Sequence, residues 1–155
     1  MGLPNGRFSI FRGTELHAQS RLIFEYRTHE AVGHPSHLVD TKWLCWGTVN
    51  ANNNARFRAV DGKEEDDGWS CRLQIADDPY VDYWLDSSDG YVCAVGSSSQ
   101  RWKFLGSGDH YEWWQGERPV VISDHKPASD VGSGNQLRAR LGATPQMYTI
   151  NRIDG

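Results

Sequence analysis

Apolar residues in this chain come in runs of five to eight that alternate with polar ones and stop at Gly, Asn, Asp, Ser or Pro. The segment Trp69-Ser70-Cys71-Arg72-Leu73-Gln74-Ile75 places an apolar side chain at every second position, the period of a half-buried strand. No segment sustains the 3.6-residue period of an amphipathic helix, and sixteen glycines punctuate the chain. The pattern predicts an all-β chain. Its strand segments are Arg7–Phe11, Arg21–Arg27, Lys42–Trp46 and Arg56–Val60, then Trp69–Ile75, Tyr80–Leu85, Tyr91–Val95 and Arg101–Leu105, then His110–Gln115, Pro119–Ser123, Gln136–Leu141 and Met147–Ile150.

These segments repeat. Val95-Gly96-Ser97-Ser98-Ser99-Gln100-Arg101-Trp102 has the same form as Leu141-Gly142-Ala143-Thr144-Pro145-Gln146-Met147-Tyr148, forty-six residues later. Forty-five residues before Trp102 stands Phe57, behind Trp46-Gly47 and a loop longer by four residues. Three units of 45–46 residues, at about 6–61, 62–106 and 107–155, fill one domain over 1–155. Twelve strands in three groups of four predict a β-trefoil with pseudo-threefold symmetry. Six strands would close a barrel without free edges and six would form a hairpin cap. The segments Asn50–Asn54, Asp61–Gly68 and His125–Gly134 read as exposed loops, with Glu64–Asp67 a solvated acidic stretch.

Composition narrows the function classes. At 155 residues the chain fits one domain that buries its core without staples. A net charge of −4 offers no general attraction to nucleic acid or to an anionic membrane surface. Seven Trp, six Tyr and five Phe argue against disorder. No apolar run is long enough to span a bilayer, and the first residues, MGLPNGRFSI, carry neither a secretory pattern nor the Ser or Thr of a myristoylation signal. Cys45, Cys71 and Cys93 are odd in number and far apart, each inside a strand segment. They read as buried free thiols of a reducing compartment, so a cytoplasmic location is expected.

The best-resolved element is Gln-x-aromatic. The aromatic of each copy (Phe57, Trp102, Tyr148) is expected to fill the barrel, and the amide of Gln100 or Gln146 to donate and accept at the strand entrance. On these residues the chain resembles the ricin-B-type, or Gln-x-Trp, β-trefoil lectins. In size and in its opening, Leu3-Pro4-Asn5-Gly6-Arg7-Phe8-Ser9-Ile10, it is similar to the small β-trefoil lectins of mushroom fruiting bodies. Only Gln100-Arg101-Trp102 matches the motif in full. Gln146-Met147-Tyr148 departs in its aromatic, and Ala55 stands in place of the first Gln.

The resemblance implies a shallow sugar site in each unit, built from an Asp ending the second strand, an aromatic on the third and a polar residue beside the Gln. In the second unit these would be Asp86, Tyr91, Ser99 and Gln100, with Asp86-Ser87-Ser88-Asp89-Gly90 forming the family's turn. The third unit would offer Asp124, His125 and Gln146; the first has no Asp there, and His29 or Glu30 falls nearest, with Trp43 or Trp46 on the next strand. A galactose-type ring suits such a site, because its C–H face packs on an aromatic and its vicinal hydroxyls bond a carboxylate.

Other chemistry is thinner. His29, Glu30, His34 and His37 fall close together in an expected loop, but Pro35 argues against a helix fixing a zinc-ligand spacing, and no metal site is expected. No nucleophile elbow, zincin pair, phosphate loop or dinucleotide fingerprint occurs. The expected protein is therefore a lectin for galactose or N-acetylgalactosamine glycans with up to three sites. It would carry out no catalysis, need no cofactor, bind no nucleic acid and insert in no membrane, and a homodimer is the expected assembly. The rival reading is a β-trefoil protease inhibitor acting through an exposed loop, also of mushroom type; it has no need of an Asp beside the Gln-x-aromatic element.

Overall fold

A computed structural model describes residues 2–14, 21–31, 34–47, 55–77, 80–123 and 133–154; side chains are described throughout these except at residues 21, 23–31, 34–43, 46–47 and 133–135. Twelve strands join in one antiparallel sheet, and there is no helix among the described residues. They are β1 (Phe8–Arg12), β2 (Arg21–Ala31), β3 (His34–Gly47), β4 (Arg56–Glu65), β5 (Gly68–Ile75), β6 (Trp84–Ser88), β7 (Tyr91–Val95), β8 (Trp102–Ser107), β9 (His110–Gln115), β10 (Arg118–Ile122), β11 (Ser133–Ala139) and β12 (Met147–Arg152).

Six strands follow one another around a ring. β1 pairs with β4, β4 with β5, β5 with β8, β8 with β9, β9 with β12, and β12 returns to β1. The other six form the hairpins β2–β3, β6–β7 and β10–β11. These hairpins also pair with one another, β3 with β7, β7 with β11 and β11 with β3. Closure of the ring leaves none of its six strands as a free edge, whereas β2 pairs beyond Arg21 only with β3 among the described strands.

The period-two pattern explains what fills the ring. On β5, Trp69, Cys71, Leu73 and Ile75 are buried while Ser70, Arg72 and Gln74 are half-buried. Phe104 of β8 lies between two indoles, 4.2 Å from the Trp69 ring centre and 5.7 Å from that of Trp113, both nearly parallel to it. Phe8, Tyr111 and Tyr148 meet these rings edge-on. The indole N–H groups of Trp69 and Trp113 are buried without an acceptor, so packing rather than hydrogen bonding holds them.

Three sequence expectations are corrected. Asp61–Gly68 is not a loop: β4 runs on to Glu65 and turns at Asp66-Asp67 into β5, with Lys63 opposite Ser70 and Glu64 opposite Trp69. Asp61, Lys63 and Glu64 are exposed while the backbone pairs, and Glu65 is half-buried with Oε2 out of solvent. The amine of Lys103 lies near Glu65 and Asp67, at 3.8 and 3.4 Å. Tyr80–Tyr83 is a turn rather than the start of a strand, because Asp82 has a φ of 69° and the strand begins at Trp84. The His-rich segment lies on β2 and β3, where the backbone register sets His29 opposite His37. The expected loop Asn50–Asn54 lies outside the described residues, as does the expected loop His125–Gly134 except for Ser133 and Gly134, which begin β11.

The chain ends clasp each other. Arg7 donates to both carboxylate oxygens of Asp154, Nε to Oδ2 at 2.9 Å and Nη2 to Oδ1 at 3.0 Å, and its backbone N–H donates to Oδ2 as well. These bonds hold the Asp154 carboxyl at about 2, below the usual range. A carboxyl depressed on folding stabilises the fold above its unfolded pKa and loses that contribution as pH falls towards its folded value. Asp154→Asn is therefore expected to lower Tm at pH 7, and its Tm deficit to vanish as pH drops from about 4 to about 2. Thermal scans of both proteins across that window check it.

Cys45, Cys71 and Cys93 are free and buried, as expected, and burial pushes the Cys71 thiol up to about 12 despite nearby Arg101. No helix among the described residues is long and apolar enough to cross a membrane.

Candidate functional site

Hairpin register gives each site position its counterparts. Phe11 pairs with Arg21, Gln74 with Trp84 and Trp114 with Pro119, where each hairpin leaves the ring. One residue on, Leu22, Leu85 and Val120 occupy matching places. Their carbonyls are all capped, but by three different groups: Leu22 O accepts from Ala55 N at 3.2 Å, Leu85 O from Trp102 Nε1 at 3.0 Å and Val120 O from the Tyr148 hydroxyl at 2.8 Å. Trp and Tyr exchange at the aromatic position because each carries a polar tip that reaches the same carbonyl. Phe57 has none, and the backbone N–H of Ala55 serves instead.

The next residue is the one that matters chemically. It is Ile23 in the first hairpin, Asp86 in the second and Val121 in the third. A carboxylate therefore stands at this place only in β6. Asp86 is half-buried, and both its oxygens are engaged: Oδ1 accepts from Ser87 N at 2.7 Å and Oδ2 from the Ser98 hydroxyl at 2.6 Å. Ser98 Oγ in turn accepts from Gln100 N at 3.0 Å. This chain ties the strand end to the loop between β7 and β8 and fixes the carboxylate's orientation.

The expected residues fall around this carboxylate unevenly. Ser98 bonds the Asp86 carboxylate, while Ser99, the polar residue beside Gln100, is exposed. Tyr91 lies on β7 opposite Ser88, on the same hairpin face as Asp86 and Cys93 by the alternation of the strands. The Arg138 guanidinium sits over its ring, 4.9 Å from the centre, so a sugar stacking on that face has to displace it. Gln100 donates from Nε2 to Arg101 O at 2.6 Å, which leaves its carbonyl oxygen uncommitted among the described residues. Gln146 accepts from Ile122 N at 3.1 Å. Ile122 N matches Ser87 N, so the Gln146 amide does in the third hairpin what the Asp86 carboxylate does in the second.

His29 and Trp46 lie on β2 and β3 with only their backbones described, and Trp46 pairs with Leu22. Asp124 and His125 lie outside the described residues. Among the described residues no three His, Cys, Asp or Glu side chains are grouped to hold a metal ion. Sequence reasoning missed Ser98 and Ser87. Each has serine neighbours: strand alternation on β6 sets Ser87 apart from Ser88, and only loop geometry sets Ser98 apart from Ser97 and Ser99.

Beside this cluster runs a shallow groove of about 400 Å³, lined by Gln100, Gln115, Gly116, Glu117, Arg118 and Leu141. It joins the cluster through Ser87, whose hydroxyl donates to Gln115 Oε1 at 2.9 Å. No protein-family model matches the chain, and no curated protein or solved structure was found similar to it.

Proposed function

We propose that the chain is a β-trefoil lectin that holds a galactose-type sugar at the second hairpin, without turnover. The closed ring of six strands and the three mutually paired hairpins support the trefoil reading. The observation that carries the sugar reading is the carboxylate of Asp86. It is pinned by Ser98 and Ser87, and Ser98 also holds the backbone of Gln100. A carboxylate fixed by its own protein does not have to be ordered by the ligand, and its remaining lone pairs accept from vicinal hydroxyls.

One shallow site of this kind binds weakly, so biological effect would rest on avidity between copies, as in a homodimer. Asp124 and His125 are the residues proposed for a further site in the third unit, and His29 and Trp46 for one in the first. The three buried free thiols favour a reducing, cytoplasmic setting.

The test is a glycan array probed with the protein and with Asp86→Ala and Asp124→Ala. Signal on terminal galactose or N-acetylgalactosamine that drops at least about tenfold in Asp86→Ala is expected. A blank array for folded protein overturns the lectin reading and turns attention to proteases.

A further inference from the structure

The groove next to Asp86 has a composition that the Asp86 cluster does not explain. Gln115 uses its carbonyl oxygen to accept from Ser87, so its amide hydrogens remain as donors. Gln100 uses its amide nitrogen on Arg101 O, so its carbonyl oxygen remains as an acceptor. Glu117 and Arg118 are exposed and, among the described residues, have no ion pair or side-chain hydrogen bond. Leu141 is 61% exposed, the most of any large apolar residue described. Gly116 closes the β9–β10 turn with a φ of 58°, and a Cβ there would meet no atom within 4 Å, so this wall is open backbone.

The groove thus offers a donor amide, an acceptor amide, one anion, one cation and one apolar side chain. Its charges cancel, which disfavours an acidic or a basic ligand. Alternating donors and acceptors around an apolar contact fit the hydroxyls and C–H face of a neutral sugar ring. The volume lies within the range of about 300–1,000 Å³ found for small-ligand clefts. Gln100 belongs to both places: its backbone N–H bonds Ser98 in the Asp86 cluster, and the residue lines the groove.

We propose that this groove is a second subsite, which seats the neutral hexopyranose adjoining the one held at Asp86; the proposal rests on the sugar reading of Asp86. The two subsites together select a disaccharide over a monosaccharide, and Leu141, Glu117 and Arg118 set that preference.

Calorimetric titration of methyl β-galactoside, lactose and N-acetyllactosamine tests it, with the protein, Leu141→Asp and the double variant Glu117→Ala, Arg118→Ala. All three positions are exposed, and unchanged Tm values verify the fold. The protein is expected to bind at least one disaccharide roughly tenfold more tightly than the monosaccharide. Both variants are expected to lose that advantage while binding methyl β-galactoside as before. Equal affinity for the monosaccharide and both disaccharides, or disaccharide binding untouched by both variants, overturns the subsite and leaves Asp86 as a sugar site. Failure of the protein to bind any of the three sugars overturns both.

Discussion

Phe104→Ala is expected to cost about 3–5 kcal/mol of folding free energy, a large share of the 5–15 kcal/mol typical of a domain. The ring is fully buried and is the middle layer of a three-ring stack, parallel to Trp69 on one side and to Trp113 on the other. Its removal leaves two indoles facing a void that neither can fill, because each is itself fixed edge-on by Tyr111 or Tyr148. The three rings come from β5, β8 and β9, which are adjacent around the ring of strands, so the loss strikes the centre of the core. Urea unfolding measures it. Tyr83→Ala is the matched control: that ring is 44% exposed on a turn, and its loss is expected to change stability by less than about 0.5 kcal/mol. Equal costs at the two positions would contradict this account of the core.

Gly68→Ala is expected to cost about 3 kcal/mol or more, although it adds a single methyl group. Gly68 begins β5 with a φ of 155°, where side chains are strained, and it sits opposite Leu105 of β8. A Cβ there would overlap the carbonyl oxygen of Phe104. Backbone blocks backbone, so no rotamer change relieves the contact and the start of the β5–β8 pairing must open. Gly96→Ala provides the contrast. Its φ is not positive, and an added Cβ meets nothing within 4 Å. That substitution is expected to be neutral or to stabilise by about 0.4–1 kcal/mol through a less flexible unfolded chain. Denaturant midpoints of the two variants, read side by side, check both.

Much of this architecture is legible in the sequence where side-chain alternation and backbone pairing coincide. Tyr91–Val95 and His110–Gln115 are strands over the ranges their patterns predict, because their apolar residues face a buried side and turns bound them. The alternation fails where pairing proceeds without burial. Asp61–Glu65 carries almost only charged residues and still pairs with β5, past a register shift after Val60 where Asp61 has a φ of 51°. Arg72 also grips Asp61, Nη2 to Oδ2 at 2.7 Å. The opposite error occurs at Tyr80–Tyr83, where aromatic residues suggest a strand but meet edge-on across a turn.

The site was legible in kind and less so in detail. Asp86 is visible as the one carboxylate before an Asp-Gly turn with a Gln-x-Trp element downstream. Its partner Ser98 is not, since choosing among Ser97, Ser98 and Ser99 requires the path of a loop. Arg138 over Tyr91 depends on the pairing of β7 with β11, strands far apart in the chain. The correspondence of Asp86 with Val121, rather than with Asp124, follows from the offset of each hairpin against the ring, which no local pattern encodes.

The most direct measurement is titration of N-acetylgalactosamine and methyl β-galactoside into the protein and into Asp86→Asn, which keeps the side chain's shape and removes its charge. The account predicts saturable binding of at least one sugar by the protein and binding at least about tenfold weaker by Asp86→Asn, with both proteins folded. Sugar binding that survives Asp86→Asn unchanged would contradict the place assigned to the site, and no binding by the folded protein would contradict the lectin itself.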